Sequence, residues 1–400
     1  MKYCLVIPDG AADNPIDSLG GKTPLEAADI ANMDAVARGG AVGTVVTIPE
    51  GFPPGSDVAI MSVLGYAPEQ HYCGRAPLEA ASMGLELGQR DWAVRCNLVT
   101  IAGGRMADYS AGHISPAEGA QIIASLNAEL GGSGIEFYAG KGYRNILVMR
   151  NMGQLEVETT PPHDIAGQEV KEHLPRGPDA AALRRLMDRS QAVLAGHDVN
   201  KRRKAGQKPP ATSIWLWGQG RPARFPSFEE VYGVRAAVIT AVDLVAGICA
   251  LAGWQRIVVP GATGYYDTDY RGKAQAAAAG LEVYDLVFVH VEAPDEAAHN
   301  RDPKAKVAVL EEIDRHVVGP LGEALGRFGA HRMMVLPDHY TFLSTGAHAG
   351  GAVPFALCGD SVPSSGVQGF SEKTAAAGKA FASGPELMRA FLGKGDQWGL

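Results

Sequence analysis

Leu286-Val287-Phe288-Val289-His290-Val291-Glu292 is short, apolar and rich in β-branched side chains, and it runs directly into Ala293-Pro294-Asp295-Glu296-Ala297-Ala298-His299. The first segment reads as a buried strand. Proline suits the first position of a helix and an acidic residue suits the positive end of its dipole, so the second reads as a helix start. A strand that passes at once into a helix predicts an α/β fold with a mainly parallel sheet. Asp295 and His299 stand at i and i+4, one turn apart on one helical face, where a carboxylate and an imidazole can reach the same ion.

The strand-then-polar layout recurs. Met333-Met334-Val335-Leu336-Pro337 ends at Asp338-His339, and the apolar segment from Lys2 to Pro8 ends at Asp9-Gly10. Neighbouring side chains on extended backbone point apart, so Asp338 and His339 are expected to bridge or divide between two ions rather than chelate one. His348, nine residues after His339 in a loop of Thr, Gly and Ala, can complete the first site. Ser56 lies in Pro53-Pro54-Gly55-Ser56-Asp57, ahead of an apolar segment at 58–64 that suits a buried helix. A serine there faces free N–H groups and the positive dipole end, a place for an anionic phosphate. A cation beside its oxygen would favour the alkoxide, which a lone serine does not reach near neutral pH.

Each piece alone has a plainer reading: Asp9 as a turn residue, Ser56 as a helix cap, Asp295 and His299 as a surface pair. Their joint recurrence at strand ends and helix starts favours a two-metal site beside a serine. The carboxyl ends of strands in an open α/β sheet share one edge, so these distant fragments can converge there.

Composition narrows the setting. The chain has 400 residues, 46% of them hydrophobic, enough for two domains or one large unit with an insertion. A net charge of −8 argues against nucleic acid or an anionic membrane as the main partner. Five widely spaced cysteines without a C-x-x-C pair suggest reduced thiols in the cytosol, and no apolar run approaches a membrane span. The oligomeric state is not readable.

Strands are predicted at 2–8, 41–48, 92–101, 145–150, 213–217, 256–259, 286–291, 332–336 and 353–357. Helices are predicted at 24–38, 58–64, 116–130, 179–194, 241–251, 268–279, 303–327 and 385–391. Because Ser56 and Asp295 must meet, the chain between them has to leave the metal-binding sheet and return. Residues 76–226 are the expected insertion, with 1–75 and 227–400 as the discontinuous core; Gly- and Pro-rich stretches at 206–210 and 218–226 mark candidate returns.

Asp9, Ser56, Asp338 and His339 for one metal, and Asp295, His299 and His348 for the other, resemble the ligand set of the alkaline phosphatase superfamily. Thr23-Pro24-Leu25-Glu26-Ala27-Ala28, Gly74-Arg75-Ala76-Pro77-Leu78-Glu79-Ala80, Arg95-Cys96-Asn97, Gly261-Ala262-Thr263-Gly264 and Val291-Glu292-Ala293-Pro294-Asp295 narrow the match. They resemble the archaeal-type, cofactor-independent phosphoglycerate mutases and their bacterial relatives. That resemblance implies a three-layer alkaline-phosphatase-like core with a smaller inserted α/β domain, two divalent cations and no bisphosphoglycerate. It points to Mn²⁺, while nitrogen and oxygen ligands without thiolate also suit Zn²⁺, Co²⁺ or Fe²⁺.

In that reading Ser56 takes the phosphoryl group of 3-phosphoglycerate and returns it to O2 of glycerate, in the cytoplasm. A lid supplied by the insertion would exclude water. Lys273 sits where the family's phosphate-contacting lysine falls. Arg75, Arg144, Arg202 and Arg203 are candidates for the carboxylate, with Asp108 and His113 as partners for the glycerate hydroxyls or as acid-base groups. The basic run Lys201 to Lys204 also reads as a solvated face, and His113 as a neighbour of a helix cap. Two departures bear on substrate: Tyr109 and His113 stand where the family tends to carry arginines, and Trp215-Leu216-Trp217-Gly218-Gln219-Gly220 lacks an expected basic residue. Fewer cations leave open a homoserine kinase-like phosphotransferase, a phosphatase, or a binding protein with a vestigial site.

Overall fold

The computed structural model describes residues 1–222 and 225–394. Residues 223 and 224, within the candidate return at 218–226, and the residues after 394 lie outside the described residues. The chain divides into two compact units: Met1–Tyr72 with the described residues from 225 onward, and Cys73 to Pro222.

The larger unit is α/β. Its central strand, Lys2–Pro8, is buried almost throughout and lies between Leu286–Val291 and His331–Val335, parallel to both. Ala236–Ile239 and then Gln255–Arg256 extend the sheet in the same direction on one side. On the other side Ala352–Gly359 runs antiparallel to His331–Val335 and to Gly40–Val46, and Lys379–Phe381 closes the edge. Apolar runs without alternation form these strands because helices cover both faces. Pairing of Pro8 with Val291 and of Val6 with Val335 sets the three central strand ends side by side, so the residues after each strand emerge at one edge.

Several element boundaries differ from the sequence reading. The predicted helix 24–38 is two helices, Pro24–Ala27 and Ala31–Arg38, because Ala28 turns extended. The second restarts where buried Asp314 accepts hydrogen bonds from Asn32 N and Met33 N, satisfying free donors of its first turn. Strand 256–259 shrinks to Gln255–Arg256. His348 is not in an irregular loop: it lies on Ala347–Ala349, which forms a small antiparallel ladder with Tyr340–Phe342 and sets His348 opposite Thr341.

The smaller unit is built on an antiparallel sheet. Trp92–Ala102 pairs with Arg105–Asp108, Arg144–Met149 and Ser213–Gly220, and Ile135–Lys141 pairs with Arg144–Met149. Helices Pro116–Leu130 and Ala180–Ala195 contribute Ile122, Leu126, Leu183 and Leu186 to one core with Val94, Leu98 and Trp215. Arg105–Asp108 and Ile135–Lys141 escaped the sequence reading because polar residues and glycine interrupt their apolar pattern.

Candidate metal centre and serine

Asp9 follows the first strand, Asp295 opens the helix Ala293–His299, and Asp338 follows the strand His331–Val335, so all three carboxylates stand at the edge where the parallel strands end. Gly10 has φ +60°, and a Cβ there would lie 2.5 Å from Thr341 Oγ1 and 2.6 Å from Asp295 Oδ1. Only a residue without a side chain lets the first strand end this close to the second carboxylate.

Two groups of side chains result. Asp9, Asp338 and His339 form one, and Asp295, His299 and His348 the other, with the donor atoms of each group within 4.8 Å of one another. In the first, His339 Nε2 lies 3.5 Å from Asp9 Oδ1 and 3.4 Å from Asp338 Oδ2. In the second, Asp295 Oδ2 lies 3.0 Å from His299 Nε2, and Asp295 Oδ1 lies 3.4 Å from His348 Nε2. The rings of His339 and His348, one from each group, are 4.3 Å apart. Asp338 and His339 do not divide between the groups; both belong to the first, and residues 338–339 form a bend rather than extended backbone.

Ser56 joins the first group. The helix Ser56–Val63 begins at Ser56 itself, with Gly55 as the cap residue, so the serine hydroxyl is not spent on capping. Its Oγ lies 3.1 Å from His339 Nε2 and 3.5 Å from Asp9 Oδ2. Lys273, on the helix Tyr270–Val283, is 1% exposed and donates to the His290 carbonyl at 3.1 Å.

The donor set fits divalent cations. Asp9 Oδ1 and Asp338 Oδ2 are buried without a hydrogen-bond partner, although the other oxygen of each carboxylate is engaged. Asp9 Oδ2 accepts from His290 Nε2 at 2.8 Å, and Asp338 Oδ1 accepts from Gly10 N and His339 N. Orphaned carboxylate oxygens cost free energy unless a proton or cation meets them. Burial, followed by the charges of Asp338, Glu292 and Asp295, holds the Asp9 carboxyl well above the usual carboxylate range. Burial and then Asp295 also push Glu292 up to about 8. Burial alone would raise Asp295 too, but hydrogen bonds from His299 and His348 outweigh it and hold it well below its ordinary value. Carboxylates packed this closely, with imidazoles among them and no thiolate, suit metals that accept oxygen and nitrogen ligands.

His290, Glu292 and Thr341 were missed as site residues. His290 lay in plain view as a polar residue inside an apolar strand; it is 1% exposed, and burial pushes its imidazole down to about 3, so it is neutral. Asp9, His290 and Glu292 also come within reach of one ion.

The smaller unit holds the other candidates, in differing circumstances. Arg203 spends its guanidinium on Glu118 at 2.8 Å and on the carbonyls of Pro209, Ala111 and Gly112, so it braces the unit and is not available to a substrate. Asp108 accepts from Ser110 N, Ser110 Oγ and Gly112 N, and therefore shapes the turn that carries His113. Arg202 is exposed and bonds Gln121. Arg144 is exposed over the ring of Tyr143, and Arg75 begins the helix Arg75–Ser82. Arg95, which the sequence did not mark as a ligand, lies 4.1 Å over Trp217 and 3.0 Å from Glu79; burial, with the charges of Arg75 and Arg144, lowers its pKa against the opposing pull of Glu79.

Fold and site together define a class: an α/β protein whose sheet edge presents two carboxylate–imidazole groups beside one serine. A family model described as 2,3-bisphosphoglycerate-independent phosphoglycerate mutase matches residues 37–200. A protein of Geobacter sulfurreducens named probable 2,3-bisphosphoglycerate-independent phosphoglycerate mutase is 49% identical, over 98% of this chain and 100% of its own. The solved structure of the PH0037 protein from Pyrococcus horikoshii superposes with a TM-score of 0.82 at 29% identity, covering 100% of this chain and 99% of that one. The cofactor-independent phosphoglycerate mutase from Thermoplasma acidophilum gives a TM-score of 0.68 at 25% identity, covering 99% and 100%. The chain belongs to the 2,3-bisphosphoglycerate-independent phosphoglycerate mutase family.

Proposed function

We propose that this protein interconverts 3-phosphoglycerate and 2-phosphoglycerate through a phosphoserine at Ser56, without bisphosphoglycerate. The observation that carries the reading is the position of Ser56 at a helix start, with its hydroxyl 3.1 Å from His339 Nε2 and beside Asp9. The Ser56 oxygen attacks phosphorus in line, the bond from phosphorus to O3 of glycerate breaks, and O3 takes up a proton. Glycerate then turns, O2 gives up its proton as it attacks the phosphoserine, the bond from phosphorus to the serine oxygen breaks, and that oxygen takes up a proton to restore Ser56. Free N–H groups at the start of the helix Ser56–Val63 would favour the negative charge of the transferring group.

Asp9, Asp338 and His339 would hold one divalent cation, and Asp295, His299 and His348 the other. Such cations supply positive charge that eases loss of the serine proton and steadies the phosphoryl oxygens. Mn²⁺ is the proposed occupant of both. Burial lowers the pKa of Lys273 to about 8, and its ammonium is the proposed phosphate contact. Arg75 and Arg144 are the proposed partners of the substrate carboxylate. No helix among the described residues is long and apolar enough to cross a membrane, and the proposed setting is the cytoplasm.

The test supplies purified protein and Mn²⁺ with 3-phosphoglycerate in the absence of bisphosphoglycerate. Formation of 2-phosphoglycerate is the expected result. Release of inorganic phosphate alone would make the protein a phosphatase, and phosphorylation of homoserine from a nucleotide in a parallel tube would displace the mutase reading.

A further inference from the structure

Thr341 touches both groups of ligands. Its side chain is fully buried, with Oγ1 2.6 Å from Asp295 Oδ1 of one group and 3.2 Å from His339 Nδ1 of the other. Its backbone is the cross-strand partner of His348. The residue is itself held in place: its carbonyl accepts from Lys306 Nζ at 2.8 Å, and that buried ammonium is paired with Asp13 Oδ2 at 2.8 Å.

A hydroxyl carries one proton, and an ionised carboxylate can only accept. The short bond to Asp295 therefore takes the Thr341 proton, and the hydroxyl can meet His339 Nδ1 only through a lone pair. That contact is favourable only if Nδ1 bears the imidazole proton. His339 Nε2 is then bare, and it is the nitrogen that faces Ser56 Oγ at 3.1 Å, Asp338 Oδ2 at 3.4 Å and Asp9 Oδ1 at 3.5 Å. The opposite tautomer would set lone pair against lone pair at Thr341 and aim an N–H into the space where a cation is expected.

From this geometry we infer that Thr341 is a positioning residue that selects the ligating tautomer of His339 while orienting Asp295, so that one hydroxyl couples the two metal groups. The inference rests on the proposed metal-site reading. It commits the hydroxyl, not the bulk, of Thr341.

Thr341→Val keeps the size and removes the hydroxyl, whereas Thr341→Ser keeps the hydroxyl and removes a methyl. Calorimetric titration with Mn²⁺ is expected to show Thr341→Val binding about 10- to 100-fold more weakly than wild type, as outer partners of metal ligands usually do when lost, and Thr341→Ser binding like wild type. Equal affinities for wild type and a folded Thr341→Val, or equal losses in both variants, would overturn the inference while leaving the metal sites standing. Wild type that takes up no Mn²⁺ would overturn the metal-site reading and this inference with it. Nitrogen-15 NMR of the histidines in the metal-free wild type gives a test that needs no variant to fold: a proton on His339 Nδ1 is expected, and a proton on Nε2 alone refutes tautomer selection.

Discussion

His290 Nε2 donates to Asp9 Oδ2 at 2.8 Å, and both side chains are buried in the central sheet. Thr240 Oγ1, 3.2 Å from His290 Nδ1, can donate to the other ring nitrogen, so the imidazole is neutral and held at both ends. One Asp9 oxygen is thereby committed and the other turned toward Asp338 and His339. His290→Leu removes that hold without adding charge. Its affinity for Mn²⁺ should fall by roughly 10- to 100-fold, read by calorimetry or by metal content after dialysis; an unchanged affinity would remove His290 from the site.

Ser56→Ala should fold as wild type does, because Ser56 supplies no cap, and should still take up Mn²⁺ through Asp9, Asp338 and His339 and through the second group. Mutase turnover should fall by at least about a thousandfold with loss of the covalent nucleophile. Full turnover in this variant, with 2-phosphoglycerate measured directly, would rule out transfer through that serine.

Metal binding should weaken with acid at unusually high pH. Burial and neighbouring carboxylates raise Asp9 well above the ordinary carboxylate range and Glu292 to about 8 in the metal-free protein. A cation must displace those protons, so affinity is greatest above the raised values and is lost as pH falls through them. Titrations from about pH 9 to about pH 6, which bracket the value of Glu292, should show proton release on binding, measurable as a buffer-dependent heat. Chelation should lower the melting temperature in the same buffers, because the cation binds the folded chain.

The contribution of Lys273 to metal-free stability also rises with pH, in a higher window. Its folded pKa, about 8, lies below the 10.5 of a free lysine, chiefly through burial. Below pH 8 both states are protonated and the burial cost is complete. Between about 8 and 10.5 the unfolded chain holds the proton that the folded chain has lost, so Lys273's contribution to stability becomes more favourable as pH rises. The difference between wild type and Lys273→Met in urea unfolding should therefore shift toward wild type across that window, by up to about 3 kcal/mol. A constant difference would contradict the buried ammonium.

Arg203 and Arg144 separate brace from ligand. Arg203→Ala removes the cation beside Glu118, which keeps only its bonds from Ser115, and takes a donor from three carbonyls, which should cost on the order of 3 kcal/mol in stability. Arg144→Ala, at an exposed site, should unfold as wild type does yet raise the KM for 3-phosphoglycerate, because a carboxylate partner is lost. Denaturation curves and initial rates on both variants decide the two assignments.

Much of the site was legible because metal ligands occupy distinctive places in a chain. Asp9, Asp295 and Asp338 each end an apolar strand or open the following helix, and the i, i+4 spacing of Asp295 and His299 is visible in one dimension. His290, Thr341 and Arg95 were not legible as partners, since a histidine in a strand, a threonine near a turn or an arginine in an apolar run carries no local mark of what it meets across the sheet. Arg203 shows the converse error: a basic run suggested a ligand, but the turn at 110–112 and Glu118 surround its guanidinium.

What the sequence determined by itself was local and periodic: the apolar strands, the capped helices, the glycine after Asp9 and the kinds of ligand available. Hydrophobic burial and backbone hydrogen bonding act residue by residue along such segments, so their pattern survives in the string of letters. Tertiary structure alone decided which oxygen of Asp9 stays free, which nitrogen of His339 is bare, and that residues 338 and 339 bend toward one group. Those outcomes depend on side chains that local pattern does not pair, Asp9 with His290 and Thr341 with Asp295 and His339, and the parallel pairing of the central strands helps to bring them within reach.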